Sequence, residues 1–192
     1  MQAKSLIGKT KVTVSFGSAN IGQINEGSIE LNYSDLDLQK VEKLQLSGRS
    51  STIQIGAATE IKLDSRRDKI TIEELRSISG ECSFSRLTMG MLNRDMLLST
   101  NYGSVNLNNV NKQMQFLQLN ASYTTIQVFV QSQAAANFEI LHSKRAKLNV
   151  PNTMTIIEKT NPISDTEVGV LKSSFGKEKG SSYQFILTGG EL

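Results

Sequence analysis

Between Ser51 and Leu75 the chain reads STIQIGAATEIKLDSRRDKITIEEL, and its apolar pattern restarts after seventeen residues. Ile53 and Ile55 flank one polar residue, Ala58 stands alone, Ile61 and Leu63 flank another, and Ile70 and Ile72 begin again. A fixed period constrains architecture more strongly than local propensity, because each unit buries its apolar residues only against its neighbours.

Extending the pattern both ways gives five columns. The first holds Leu36, Ile53, Ile70, Leu87, Val105 and Ile126, and the second Leu38, Ile55, Ile72, Met89, Leu107 and Val128. The solitary third column is Val41, Ala58, Leu75, Leu92 and Val110, followed by Leu44/Ile61/Ile78 and Leu46/Leu63/Gly80. The step of 17 stretches to 18 at Val105 and 21 at Ile126, the extra residues falling in NRDML and NKQMQF. Between the first two columns lie Asp37, Gln54, Thr71, Thr88, Asn106 and Gln127, all polar, as expected for half-buried strands.

Two architectures accommodate short alternating strands. An antiparallel sandwich would place strands about every 8–12 residues with hairpin turns between them. A parallel solenoid makes each unit one coil, with like residues stacked roughly 4.8 Å apart. The solitary column recurs once per full unit, and Asn-Gly and Asp-Gly turns are absent, which favours the solenoid. The expectation is an all-β, single-domain parallel β-helix with a repeat of 17–21 residues. Residues 28–130 would be regular coils, 1–27 an N-terminal cap coil, and 131–192 less regular C-terminal coils and a cap. KVTVSF (11–16) and EVGVLKSSFG (167–176) read as strands, VPNTM (150–154) and KTNPISDTE (159–167) as loops, and QSQAAANFEI (131–140) as a short helix or an extended loop.

Three residues before the first column stand Tyr33, Ser50, Arg67, Phe84, Tyr102 and Tyr123, and Tyr183 bears the same relation to Ile186. Each ring follows Ser or Asn: Asn32, Ser83, Asn101, Ser122 and Ser182. The SFG triplets at 15–17 and 174–176 look like the same element. This is the signature of a corner, where a small polar residue bonds local backbone and the ring lies over the end of the next strand. Its functional counterpart is an aromatic stripe for glycan or peptide, carried by Tyr33, Phe84, Tyr102 and Tyr123 and interrupted by Ser50 and Arg67.

NYSDLDLQKVEKLQL, NYGSVNLNNV, NASYTTIQVFV and the closing SSYQFILTGGEL resemble the adhesin-like β-solenoid proteins of unassigned function common in Bacteroidetes cell envelopes. Their repeats carry a Tyr-x-x-hydrophobic-x-hydrophobic signature, and the resemblance spans the chain from about Ser28 onward. It implies a parallel β-helix, a periplasmic or cell-surface location, and no catalytic residues to carry over.

The remaining chemistry is sparse. Net charge is +3, from 21 basic and 18 acidic residues interspersed along the chain, which argues against a nucleic-acid or membrane-surface partner. No stretch approaches the ~18 apolar residues of a membrane span. The opening MQAKSLIGKTK is not a signal peptide, so export would depend on a signal outside this sequence. Cys82 is the only cysteine and His142 the only histidine, which leaves no zinc set and no disulfide. His142 reads as a solvent-facing residue and Cys82 as a residue at a turn of the repeat without a nearby base.

Glu73 and Glu74 are adjacent, but the period stacks Glu74 between Ala57 and Met91, so no carboxylate ladder forms. Lys43 and Glu60, and likewise Arg49 and Arg66, fall one period apart at the surface. No catalytic residue, metal or cofactor is expected. The leading expectation is a non-catalytic, adhesin-like envelope protein that binds a protein or glycan. The alternatives are a carbohydrate-active β-helix enzyme and a structural or regulatory partner in envelope stress.

Overall fold

A computed structural model describes residues 1–131, 135–176 and 181–192, and its strands form one β-solenoid whose coils stack in parallel, with two antiparallel strands at the C-terminal end. β1 (Gln2–Ser15), β2 (Ser18–Asn32), β3 (Asp35–Arg49), β4 (Thr52–Arg66) and β5 (Lys69–Ser83) stack parallel in chain order. β6 (Arg86–Val110) passes through a corner and so contributes to two coils, and β7 (Phe116–Val130) pairs with it. Leu36, Ile53, Ile70 and Leu87 are successive register partners, as are Val105 and Ile126. Ile53 and Ile61 belong to one strand, β4, which excludes a hairpin between them.

The solitary third column has a simple cause. In β3 the inward residues are Leu36, Leu38, Val41, Leu44 and Leu46, and the outward doublets Gln39–Lys40 and Glu42–Lys43 flank Val41. A pleated strand sends successive side chains to opposite faces, so two consecutive outward residues mark a bend. Val41 is the apex between two bends, and Ala58, Leu75 and Leu92 repeat it below. Side chains such as Ile53, Ile70 and Leu87 are fully buried, each burial stabilising the fold by roughly 1.5–3 kcal/mol.

Regular stacking begins earlier than residue 28. β2 pairs with β3 at the same step of 17, from Ser18 opposite Asp35 to Asn32 opposite Arg49, and β1 pairs along β2 with one irregularity between Leu6 and Lys9. The segment expected as a cap coil therefore joins the regular stack from Ser18 onward, and only β1 departs from it. Its columns carry Ala19 beside Ile21 and Ile24, and the small Ala19 weakens the periodic signal.

At the other end the last strand, β12 (Ser181–Glu191), stacks parallel on β7, and β8 (Ala136–His142) stacks parallel on β12. β11 (Gly169–Phe175) and β10 (Thr155–Thr160) extend the sheet antiparallel, and the short β9 (Ala146–Lys147) pairs with β12. Ser132–Ala134 lie outside the described residues, so the helix-or-loop reading of 131–140 is decided only for Gln131 and Ala135, which are irregular, and for 136–140, which are strand. An open apolar cavity of about 600 Å³, lined by Ile126, Val128, Phe138, Val150 and Met154, lies at this end.

Two expected corners are absent here. Tyr183 is fully buried opposite Leu117 and Phe138, because β12 turns Tyr183, Phe185 and Leu187 inward between two neighbouring strands. Its ring meets Phe138 edge to face at 5.1 Å. Phe175, in the second SFG triplet, ends β11 and packs partly buried against the core.

Candidate binding edge

Among the described residues seven non-glycine positions adopt a left-handed backbone: Phe16, Tyr33, Ser50, Arg67, Phe84, Tyr102 and Tyr123, with φ between 48° and 60°. All occupy the corner predicted from the rings. An L residue pays about 1–2 kcal/mol for this region, and the stacking of coils repeats the demand at every turn. The corner N–H groups of Phe16, Tyr33, Ser50, Arg67 and Phe84 are bonded to the following coil, as in Tyr33 N–H to the Arg49 carbonyl (2.9 Å) and Phe84 N–H to the Asn101 carbonyl (2.8 Å).

The small polar residue that completes the corner follows the ring, contrary to the expectation that it precedes it. Ser34, Ser51, Ser85 and Thr124 are buried, and each hydroxyl donates to the carbonyl two residues back, on Asn32, Arg49, Ser83 and Ser122. The three serine oxygens also accept from the coil before. Gly17 N–H bonds Ser34 Oγ (3.3 Å), Ser34 N–H bonds Ser51 Oγ (3.2 Å), and Asp68 N–H bonds Ser85 Oγ (3.1 Å). The result is an internal polar ladder directly beneath the exposed rings.

Asp68 takes the serine position in one coil. Its carboxylate accepts from Ser51 N–H (2.7 Å), the Ser65 hydroxyl (2.7 Å) and Arg66 N–H (3.1 Å). Burial raises its pKa, opposed by these bonds and by the charge of Arg49. The larger side chain fits because its register neighbourhood is stripped down: a Cβ on Gly48 would lie 2.9 Å from Asp68 Cγ.

Outside the ladder the rings stack. Phe16 and Tyr33 are 5.4 Å apart and 2° from parallel, Phe84 and Tyr102 5.2 Å and 9°, and Tyr102 and Tyr123 5.1 Å and 6°. Stacking contributes about 0.5–1.5 kcal/mol per pair, which offsets only part of the strain at the ringed corners and none of it at Ser50 and Arg67. The rings remain 43–81% exposed. Beyond Tyr123 the turn at Gly189 closes on its ring, and Arg145 Nη1 donates to its hydroxyl at 3.4 Å. The two stacks are separated by Ser50 and Arg67.

Around that break cluster five exposed cations. Arg49 lies opposite Arg66, and Lys69 opposite Arg86, with Arg67 at the corner itself. Among the described residues none of the five has a carboxylate within 4.0 Å.

The other singled-out residues lie apart from this edge or beneath it. His142 is buried, contrary to expectation, because β8 is paired on both sides and turns Phe138, Ile140 and His142 inward. Cys82 is buried between Ser65 and Thr100, and burial pushes its thiol pKa up. Glu74 lies between Ala57 and Met91, as the period requires, and its Oε1 accepts from Asn93 Nδ2 at 3.0 Å. On another face Lys9, Glu26, Lys43 and Glu60 are successive register partners, a column of alternating charge. No helix among the described residues is long and apolar enough to cross a membrane.

No family model matches the chain, and no curated protein or solved structure matches it either.

Proposed function

We propose that this solenoid is a non-catalytic, extracytoplasmic binding module that presents its corner edge to a glycan or protein at the cell envelope. The observation that carries the reading is that exposed rings and unpaired cations share one edge, anchored to a bonded internal ladder. Aromatic side chains, with two torsions each, give contact area at low entropic cost, and arginines add charge-assisted hydrogen bonds, a combination that recognition surfaces use. The envelope location rests on the resemblance of the repeats to adhesin-like solenoids.

A glycan array, with turnover followed on each hit, tests the reading alongside envelope-extract capture. Wild type is compared with Tyr102→Ser, which places at one corner the residue that Ser50 already supplies at another. Saturable binding that is lost in Tyr102→Ser supports the module. Turnover of a bound glycan would replace it with an enzyme, and binding indifferent to edge substitutions would move the site elsewhere.

A further inference from the structure

The aromatic ladder is covered by its own stacking except at the break and at its first ring, Phe16, which is stacked on one side only and carries no cation beside it in the register. Within each stack a ring covers its neighbour's face, and the outer side of Tyr123 is closed by the Gly189 turn and Arg145. Tyr33 stacks on Phe16 on one side, so its other face looks toward Ser50, and Phe84 turns its free face toward Arg67. Three coil steps separate Tyr33 from Phe84, about 14 Å at the spacing of neighbouring strands. Ser50 has too small a side chain to fill its place in the ladder. Two ring faces therefore flank a stretch of the edge that holds only the small Ser50 and the exposed Arg67, and the place beside Tyr33 is left without a ring.

The charge of that space is one-sided. Arg49 and Arg66 stand directly opposite one another, an arrangement that costs stability in a sheet. Neither has a carboxylate partner within 4.0 Å among the described residues, and the nearest buried carboxylate, Asp68, is taken up by its own hydrogen bonds. An anion bound between the two guanidinium groups would relieve the repulsion with charge-assisted hydrogen bonds. The cationic patch is local, since outward-facing Asp64 and Glu81 are register partners on the adjoining column. A long polyanion needs a continuous basic track for its backbone; a single acidic sugar needs only this patch and a ring face.

We infer that the break in the ladder is a subsite for an acidic sugar residue of a linear glycan, stacked on Tyr33 above Ser50 with its acidic group on Arg49 and Arg66. This rests on the binding-edge reading above and assigns the ligand class to it. A carboxylated and a sulfated sugar offer the same chemistry to the two arginines.

The decisive variant is Ser50→Tyr, which fills the break with the residue that Tyr33, Tyr102 and Tyr123 place at the same backbone angle. Binding of a galacturonate hexamer, a heparin-derived hexamer, cellohexaose and a single-stranded oligonucleotide would be measured by calorimetry at low and high salt. An acidic hexamer is expected to bind best, the stronger of the two identifying carboxylate or sulfate. Its affinity should fall on the order of tenfold or more in Ser50→Tyr, while the thermal midpoint holds or rises. The double variant Arg49→Gln/Arg66→Gln should weaken binding and flatten its salt dependence, which tests the site independently of how Ser50→Tyr folds. Preference for cellohexaose or the oligonucleotide overturns the inference, as does failure of all four probes to bind. Acidic-glycan binding lost in Tyr102→Ser but untouched by Ser50→Tyr overturns this subsite and leaves the binding edge standing; glycan binding insensitive to every edge variant overturns both.

Discussion

Gly48 and Asp68 should behave as one fitted pair. In wild type a methyl group on Gly48 would approach Asp68 Cγ at 2.9 Å and Oδ1 at 3.2 Å. The carboxylate would have to move, and with it the bonds from Ser65 and Arg66. Overpacking costs about 1–3 kcal/mol and a lost bond to a charged group about 1.5–3 kcal/mol, so Gly48→Ala should destabilise by roughly 3–5 kcal/mol. Asp68→Ser restores the side chain found at positions 34, 51 and 85, keeping an acceptor for Ser51 N–H and a donor toward the Arg66 carbonyl. Alone it should cost about 1 kcal/mol.

In that background the space beneath Gly48 is open, and Gly48→Ala should fall to within about 0.5 kcal/mol of neutral. The coupling is then at least about 2 kcal/mol. Urea unfolding of the four proteins of the cycle measures it, with the slope checked for constancy so that midpoints report stability. Additivity within about 0.5 kcal/mol would refute the claim that the missing Cβ of Gly48 makes room for the buried carboxylate.

Three other outcomes follow from the same structure. Ile70→Ala, with Ile53 above and Leu87 below, should lose roughly 2–5 kcal/mol, and the half-exposed Thr71→Asp far less by the same urea midpoints. The Asp68 carboxyl is raised from 3.8, so the folded state holds its proton more tightly than the unfolded chain. That contribution is present below the unfolded value and lost as pH rises through the folded one, so wild type should gain on Asp68→Asn between about pH 7 and about pH 4; the reverse trend in paired urea titrations would contradict it. Cys82, 1% exposed with its thiol pKa raised, should resist alkylation in the folded protein and react promptly in denaturant, read by mass spectrometry.

The solenoid was legible because one environment recurs: Leu36, Ile53, Ile70 and Leu87 meet the same neighbours coil after coil, so the same residue class is demanded each time. The corner was legible from its rings for a related reason, although the sequence could not show that the backbone there is left-handed. The polar ladder is present as Ser34, Ser51, Asp68 and Ser85 at steps of seventeen, but serine is as common on exposed turns as in buried ones, so its burial is not visible in the sequence. Tyr183 misled because a Tyr-x-x-Ile spacing leaves the phase of alternation open. That phase is set by pairing with β7 and β8, which lie 45 to 66 residues away in sequence. His142 is buried for the same non-local reason. The break between the two aromatic stacks was visible as Ser50 and Arg67, but the free ring faces on either side of it belong to three-dimensional stacking alone.

The alternating column Lys9, Glu26, Lys43 and Glu60 answers a problem that a repetitive core creates for itself. Leucine and isoleucine columns are nearly interchangeable from coil to coil, so a chain misaligned by one whole unit would still bury apolar residues against apolar residues. The charges are not interchangeable. A slip of one unit would set Glu26 against Glu60, a directly opposed like-charge pair. The column therefore has a period of two coils where the core has a period of one, and it can tell odd displacements from correct ones. Excising residues 36–52, a single coil, should bring Glu26 beside Glu60, whereas excising 36–69 should bring it beside Ser77 and meet no such penalty. Evolution by duplication or loss of coils in this stretch would then proceed more readily in pairs.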